Sequence, residues 1–301
     1  MPHNLAKLFH PASIAIVGAS QDPKKIGHIV LKNIFNSGFR GKIFPVNPKV
    51  DKIGGLKCYA DVKFLPEIPD LAIIAVPAEV ALKVLESIGK KGTKNVSVYS
   101  SGFKEAGREG EKMEESLKAI AKKFELNILG PNCLGFVNNA RNLNATFSKA
   151  SRVVGNVNFI SQSGALASAI FDWSQKNQIG FSEFITLGNK AVINENDILK
   201  YWINKKEKNK PIGMYLESIA DGREFLNLTK EISVHSPIFI LKPGQSPGAQ
   251  RAMRSHTGAM AADDAVQGAA LKEAGVIRCD GVEDLFDLMK LFSWSKAPLG
   301  P

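Results

Sequence analysis

Short runs of β-branched and other apolar residues alternate along the whole chain with segments whose apolar positions recur every three to four residues. That alternation predicts parallel strands joined by crossover helices, because a strand covered by helices on both faces is apolar along its whole length. In the first half the pattern predicts strands near 13–17, 42–46, 71–76, 95–99 and 127–129, with helices near 26–36, 80–90 and 110–124. In the second half it predicts strands near 153–160, 181–186, 212–217, 238–241 and 276–278. The helices there fall near 165–175, 195–202, 223–234, 261–274 and 282–292. Between the two periodic blocks runs a polar stretch, Asn138 to Arg152, which places a domain boundary there and predicts domains over 1–140 and 150–292. The halves share an architecture but no residue-level repeat. Residues 293–301, with Pro298, Gly300 and Pro301, read as a linker to a further domain outside this sequence.

A length of 301 residues suits two domains, and 44% hydrophobic with 23% charged residues is ordinary globular composition. The longest apolar runs, Leu71 to Val76 and Pro237 to Leu241, fall far short of the ~20 residues a membrane helix needs. With no signal-peptide core at the N-terminus, a cytoplasmic protein is expected. Cys58, Cys133 and Cys279 are an odd count without a CxxC pair, which argues against a disulfide framework and a cysteine zinc site; no metal is expected.

The formal net charge of +10 is unevenly spread. Residues 1–145 carry 21 Lys and Arg against 13 Asp and Glu, whereas the remainder carries 18 against 16. The excess is therefore a property of the first domain. One explanation is a solvated lysine surface, as at Lys90-Lys91 and Lys122-Lys123; the other is an anionic ligand. Nucleic acid is disfavoured, since no reader motif appears and the cations are not interleaved with aromatics.

Three segments carry candidate chemistry. The first is the turn Val17-Gly18-Ala19-Ser20 after a strand, with Gly27 opening the next helix, an arrangement that offers backbone N–H groups to phosphate. It is not a dinucleotide fingerprint. The GxGxxG spacing is absent, and the second strand ends in Asn47-Pro48-Lys49 rather than an acidic residue, which favours a phosphorylated ligand over NAD. The second is Ser161-Gln162-Ser163-Gly164-Ala165, where hydroxyls and glycine at a helix start form an anion nest or, alternatively, an ordinary serine N-cap. A hydrolase elbow centred on Ser163 would need glycine at 161, where serine stands. The third is the long Gly-, Pro- and cation-rich loop from Lys242 to Ala259, which delivers His256 beside Arg254. A neutral imidazole is a competent nucleophile near pH 7, provided that its other nitrogen is held by a partner. Glu217, at the end of a strand of the same sheet, is the expected partner.

Read together, VGAS (17–20), FPVNPK (44–49), AVPAEV (75–80), SSGFKEAG (100–107), GPNCLGFVN (130–138), SQSGA (161–165), LGNKA (187–191) and SHTGAMA (255–261) resemble the α part of the NDP-forming acyl-CoA synthetases. These are relatives of succinyl-CoA synthetase, and the resemblance is nearest to the ADP-forming acid–thiol ligases that act on acetate. It runs in order from about residue 5 to 295. What it implies is an N-terminal Rossmann-like CoA-binding domain and a flavodoxin-like parallel-sheet ligase domain. The CoA site would comprise Gly18, Ala19, Ser20 and Lys25; Asn47, Pro48 and Lys49; Val76 and Pro77; Ser100, Ser101 and Gly102; and Asn132. Phosphate would be held at Ser161, Ser163, Gly164, Gly258 and Ala259, with His256 as phosphoryl carrier and Glu217 as its support. ADP or ATP, with Mg, would bind only on an ATP-grasp partner, either a β subunit or a fused domain. An oligomer, a small carboxylic acid substrate, and neither nucleic acid nor membrane as partner complete the expectation. The competing reading is a CoA-binding regulatory module without turnover.

Overall fold

In the computed structural model the residues described are 4–148, 153–205, 209–243 and 264–294. The chain divides into two compact units, one made of Met1–Ala150 with Thr186–Asn194 and the other of Ser151–Ile185 with Glu195–Pro301.

In the first unit α1 (Ala6–Phe9) precedes β1 (Ser13–Val17), α2 (Ile26–Asn36), β2 (Lys42–Val46) and a small antiparallel pair, β3 (Lys52–Ile53) and β4 (Leu56–Lys57). Then come β5 (Leu71–Ile74), α3 (Ala78–Lys91), β6 (Asn95–Val98), α4 (Arg108–Phe124) and β7 (Asn127–Leu129). The five longer strands run parallel in the order β2-β1-β5-β6-β7. Every residue of β1 and of β5 is buried, as expected of a strand covered on both faces. Ala81, Leu85 and Ile88 of α3 and Leu117 and Ala121 of α4 recur at helical spacing and pack on one face of the sheet with Ala72, Ile74, Val96 and Val98.

The polar stretch from Asn138 contains regular structure. β8 (Gly135–Asn138) and β9 (Leu143–Thr146) form an antiparallel hairpin around the turn at 139–142. The Tyr99 hydroxyl donates to the Ala145 carbonyl, and Asn33 Nδ2 donates to the carbonyls of Thr146 and Ser148 at 2.8 and 2.9 Å. A four-residue strand in a stretch with four asparagines carries too little apolar alternation to be read from sequence; hydrogen bonds from Asn33 and Tyr99, far away along the chain, hold it.

In the second unit the described elements are β10 (Val154–Ser161), α5 (Gly164–Asn177), β11 (Phe181–Thr186), α6 (Glu195–Asn204), β12 (Ile212–Tyr215), α7 (Gly222–Ser233), β13 (Ile238–Leu241), α8 (Asp264–Glu273), β14 (Val276–Cys279) and α9 (Val282–Trp294). The strands lie in the order β14-β13-β12-β10-β11, and β10, β12, β13 and β14 pair in parallel. Phe159, Phe171, Phe181 and Phe184 are buried together, Phe159 stacking on Phe184 at 4.9 Å and Phe171 meeting Phe184 at 4.4 Å. Numbered by their own succession, β1, β2, β5, β6 and β7 in the first unit and β10 to β14 in the second follow one order, 2-1-3-4-5. That order reverses direction beside the first strand, and ligands of such sheets bind at the carboxyl ends flanking the reversal.

Candidate functional site

The first reversal lies between β1 and β5. Beyond β1, Gly18 turns with φ +89°, and a β-carbon there would collide with the carbonyl of Ala75 at the exit of β5. Gly27 is small for a related reason: a β-carbon would run into the Gly18 carbonyl, so the first turn of α2 lies directly against the loop. Asn47, just past β2, ties the loop down. Its Nδ2 donates to the Ala19 carbonyl at 2.7 Å while its Oδ1 accepts from the N–H of Lys49 at 2.9 Å. The Ser100 hydroxyl, past β6, donates to the Val76 carbonyl at 2.5 Å. Asn47 and Ser100 therefore shape the site with side chains already committed to the backbone.

These loops wall a cavity of about 910 Å³, of the size that holds a large cofactor. Of the thirteen residues expected at a CoA site, Gly18, Ser20, Lys25, Asn47, Pro48 and Lys49 line it from the side of β1 and β2. Val76, Pro77, Ser100 and Ser101 line it from the side of β5 and β6. Ala19, Gly102 and Asn132 do not. Ala19 is fully buried; the Gly102 N–H donates to Glu105 Oε1 at 2.6 Å; and Asn132 Nδ2 donates to Asn189 Oδ1 at 3.4 Å. Asn132 stands instead where Thr186–Asn194 joins this unit: the N–H groups of Asn189 and Ala191 donate to the carbonyls of Pro131 and Gly130. Asn189 Nδ2 also donates to Glu105 and Glu114.

Sequence reasoning missed much of the wall. Val62 and Asp61 precede β5, and Val80, Lys83, Val84 and Ser87 come from one face of α3. Their spacing of three and four residues was the available signal, although it reads equally as an amphipathic helix turned toward the core. Lys25, Lys49 and Lys83 are exposed on the cavity wall, so part of the basic excess of this unit stands where an anion would bind.

The second reversal lies between β10 and β12. Ser161 ends β10 opposite Tyr215 of β12, and Glu217 stands two residues beyond. The two hydroxyls behave as a cap. Ser163 Oγ accepts from the N–H of Leu166 at the start of α5, and Ser161 Oγ donates to the Ser163 carbonyl at 2.7 Å. Gln162 holds the neighbouring loop, its Oε1 accepting from the N–H groups of Glu217 and Ser218 at 3.0 and 3.1 Å. Burial, followed by the negative charge of Glu217, raises the pKa of Tyr215 and marks the Glu217 carboxylate as its neighbour. The geometry thus brings Ser161, Ser163, Gly164 and Glu217 to one sheet edge. His256, Gly258 and Ala259 lie outside the described residues. Among the described residues no group of three His, Cys, Asp or Glu side chains could hold a metal ion, and no helix is long and apolar enough to cross a membrane.

Residues 12–139 match the model of a CoA binding domain, and residues 154–292 match that of the succinyl-CoA ligase like flavodoxin domain. Over 301 residues the chain is 40% identical to the α subunit of acetate–CoA ligase (ADP-forming) I of Pyrococcus furiosus, covering 99% of this chain and 65% of that subunit. The chain belongs to the NDP-forming acyl-CoA synthetase family. Within it, this α part is 44% identical over 291 residues to acetate–CoA ligase (ADP-forming) of Methanocaldococcus jannaschii, a match covering 97% of this chain and 40% of that protein. A solved relative, the dinucleotide forming acetyl-coenzyme A synthetase 1 of Ca. Korarchaeum cryptofilum in complex with phosphate and ADP, superposes with a TM-score of 0.94 at 40% identity. It is covered to 64% by this chain, which is itself covered completely. The chain thus spans between two fifths and just under two thirds of the length of these relatives.

Proposed function

We propose that this chain is the CoA-binding and phosphoryl-handling part of an ADP-forming acyl-CoA synthetase, working with an ATP-grasp β subunit or fused domain that binds ADP or ATP with Mg. The supporting observation is the 910 Å³ cavity at the β1/β5 reversal, walled by the turns that follow β1, β2, β5 and β6 and by Lys25, Lys49 and Lys83. In the reaction a phosphate oxygen attacks the thioester carbonyl of acyl-CoA. The C–S bond breaks, CoA leaves as thiolate, and an acyl phosphate forms. A nitrogen of His256 then takes the phosphoryl group, releasing the carboxylate, and passes it to ADP on the partner. Glu217 accepts the N–H of the non-reacting ring nitrogen, which leaves the other nitrogen a lone pair and steadies the positive charge that develops on the ring. Ser163 and Gly164, at the start of α5, offer N–H groups to phosphate in the favourable field of the helix N-terminus.

The test is reconstitution. Acetyl-CoA, phosphate and ADP are incubated with the chain alone, with an ATP-grasp partner alone, and with both together. ATP is expected only from the pair, and His256→Asn is expected to abolish acid-labile phosphate incorporation from labelled ATP. Sustained ATP formation by the chain alone, or undiminished label in the variant, would overturn the division of labour.

A further inference from the structure

Asp61 is the carboxylate in the wall of a cavity otherwise furnished for an anion. A negative group beside lysines that await phosphates repels the ligand, unless a part of that ligand offers it hydrogen-bond donors. Its position is fixed from two sides. Asp61 Oδ1 caps the short turn Val62–Phe64 by accepting from the N–H of Lys63 at 2.9 Å, and it also accepts from the Ser87 hydroxyl of α3 at 3.0 Å. Both bonds fall on one oxygen. Oδ2 has no partner among the described residues.

The surroundings say which part of the ligand reaches it. Val80, Val84 and Ser87 succeed one another at four and three residues along one face of α3, and Val62 adjoins Asp61 on the facing turn. This end of the cavity is a slot of Val62, Val80 and Val84 with Asp61, Ser87 and Lys83 at its polar rim, which suits a flat heteroaromatic ring bearing an amino group on its edge. The Gly18 turn with Lys25 suits the pyrophosphate. The Ser100-Ser101 end, beyond β6, lies across β5 from the slot's β2 side and is left for the thiol arm.

Resting on the CoA reading of this cavity, we infer that Asp61 is its base-selecting residue: Oδ2 accepts a hydrogen from the exocyclic 6-amino group of adenine, with the ring held between Val62 and the Val80–Val84 face. A purine with oxygen at position 6 would bring a carbonyl against this carboxylate and leave it without its donor, a mismatch that a binding site rejects strongly.

The capping bond makes a conservative test possible. In Asp61→Asn the side-chain oxygen must stay where the N–H of Lys63 donates to it, so the amide NH₂ takes the place of Oδ2 and faces the base. The hydrogen-bonding sense at the base is inverted while the turn keeps its cap. Titration calorimetry on the whole chain, with CoA and with its deaminated analogue carrying hypoxanthine, reads the outcome. The unaltered protein is expected to bind CoA at least about tenfold tighter than the analogue, the usual yield of a hydrogen bond to a charged group. Asp61→Asn is expected to erase or reverse that ratio. Equal affinities of the unaltered protein for the two ligands would overturn the inference, as would an Asn variant that keeps the preference or weakens both ligands alike, for Asp61 would then be only a cap. If the unaltered protein bound neither ligand, the CoA reading itself would fall, an outcome distinct from loss of discrimination.

Discussion

Glu217 illustrates how a residue two positions beyond a strand is held in place by its neighbours. Gln162 pins its backbone and that of Ser218 through two N–H bonds to one amide oxygen, so the carboxylate is presented from a held loop rather than a free one. Glu217→Gln keeps the shape and removes the charge. If Glu217 supports His256 as proposed, phosphoryl transfer is expected to slow about 10- to 100-fold, the usual worth of a partner that orients a ring nitrogen, while CoA affinity measured by calorimetry is unchanged. Loss of both together would mean that the substitution has damaged the fold instead. Glu183 shows a different residue-scale logic. It lies within β11 at 1% exposure, accepting from the Tyr201 hydroxyl at 3.0 Å, the Trp202 indole N–H at 2.6 Å and the Lys205 ammonium at 3.1 Å. Such a buried carboxylate is tolerated because three donors from α6 and its end satisfy it together.

At the scale of elements, each site is built by a strand, a tight turn and a helix start meeting at a reversal of strand order. The loop between β1 and α2 leaves no room on either flank: Gly18 abuts the backbone at Ala75, and Gly27 abuts the Gly18 carbonyl. Gly18→Ala adds a methyl where φ is +89° and where the neighbour is main chain, which cannot rotate away. A loss of about 1 to 3 kcal/mol of stability is expected from urea denaturation, together with weakened CoA binding because the turn must shift. A variant with unaltered stability and affinity would show that the turn is not the ligand cradle.

For the whole molecule, the cost of holding the N-terminal segment on the first sheet is visible in one carboxylate. Burial pushes the pKa of Asp70 up, but hydrogen bonds from Lys7 at 2.9 Å and from the N–H of Ala12 at 2.9 Å, with the charge of Lys7, outweigh it and leave the pKa lowered. A lowered folded-state pKa stabilises the fold above the unfolded value of about 4, and that contribution disappears as pH falls through the folded value. Asp70→Asn should therefore lower the unfolding free energy measured by urea at pH 7, by less than about 1 kcal/mol because Lys7 is largely exposed, and the gap from the unaltered chain should close as the pH falls through the folded-state value. A gap independent of pH would assign the effect to lost shape rather than lost charge.

The order and kind of the long elements were written in the chain itself. Strands such as Ser13–Val17, Phe181–Thr186 and Ile238–Leu241 and the helix Ile26–Asn36 stand where periodicity predicts them, since burial on both faces and burial on one stripe leave different spacings. The motifs at Gly18, Asn47 and Ser161 were legible too, because tight turns and helix starts admit few residue types. What only the tertiary structure decided is which of those polar groups remain available. It commits Asn47, Ser100 and Ser161 to the backbone, gathers β9 into the first unit through Asn33 and Tyr99, and carries Thr186–Asn194 back to the same unit. It also turns one face of α3, outwardly an ordinary amphipathic helix, into a wall of the cavity beside Asp61. The physical reason is that local spacing records how a residue is buried, whereas partners separated by tens of positions are chosen only when the sheet brings their strand ends together.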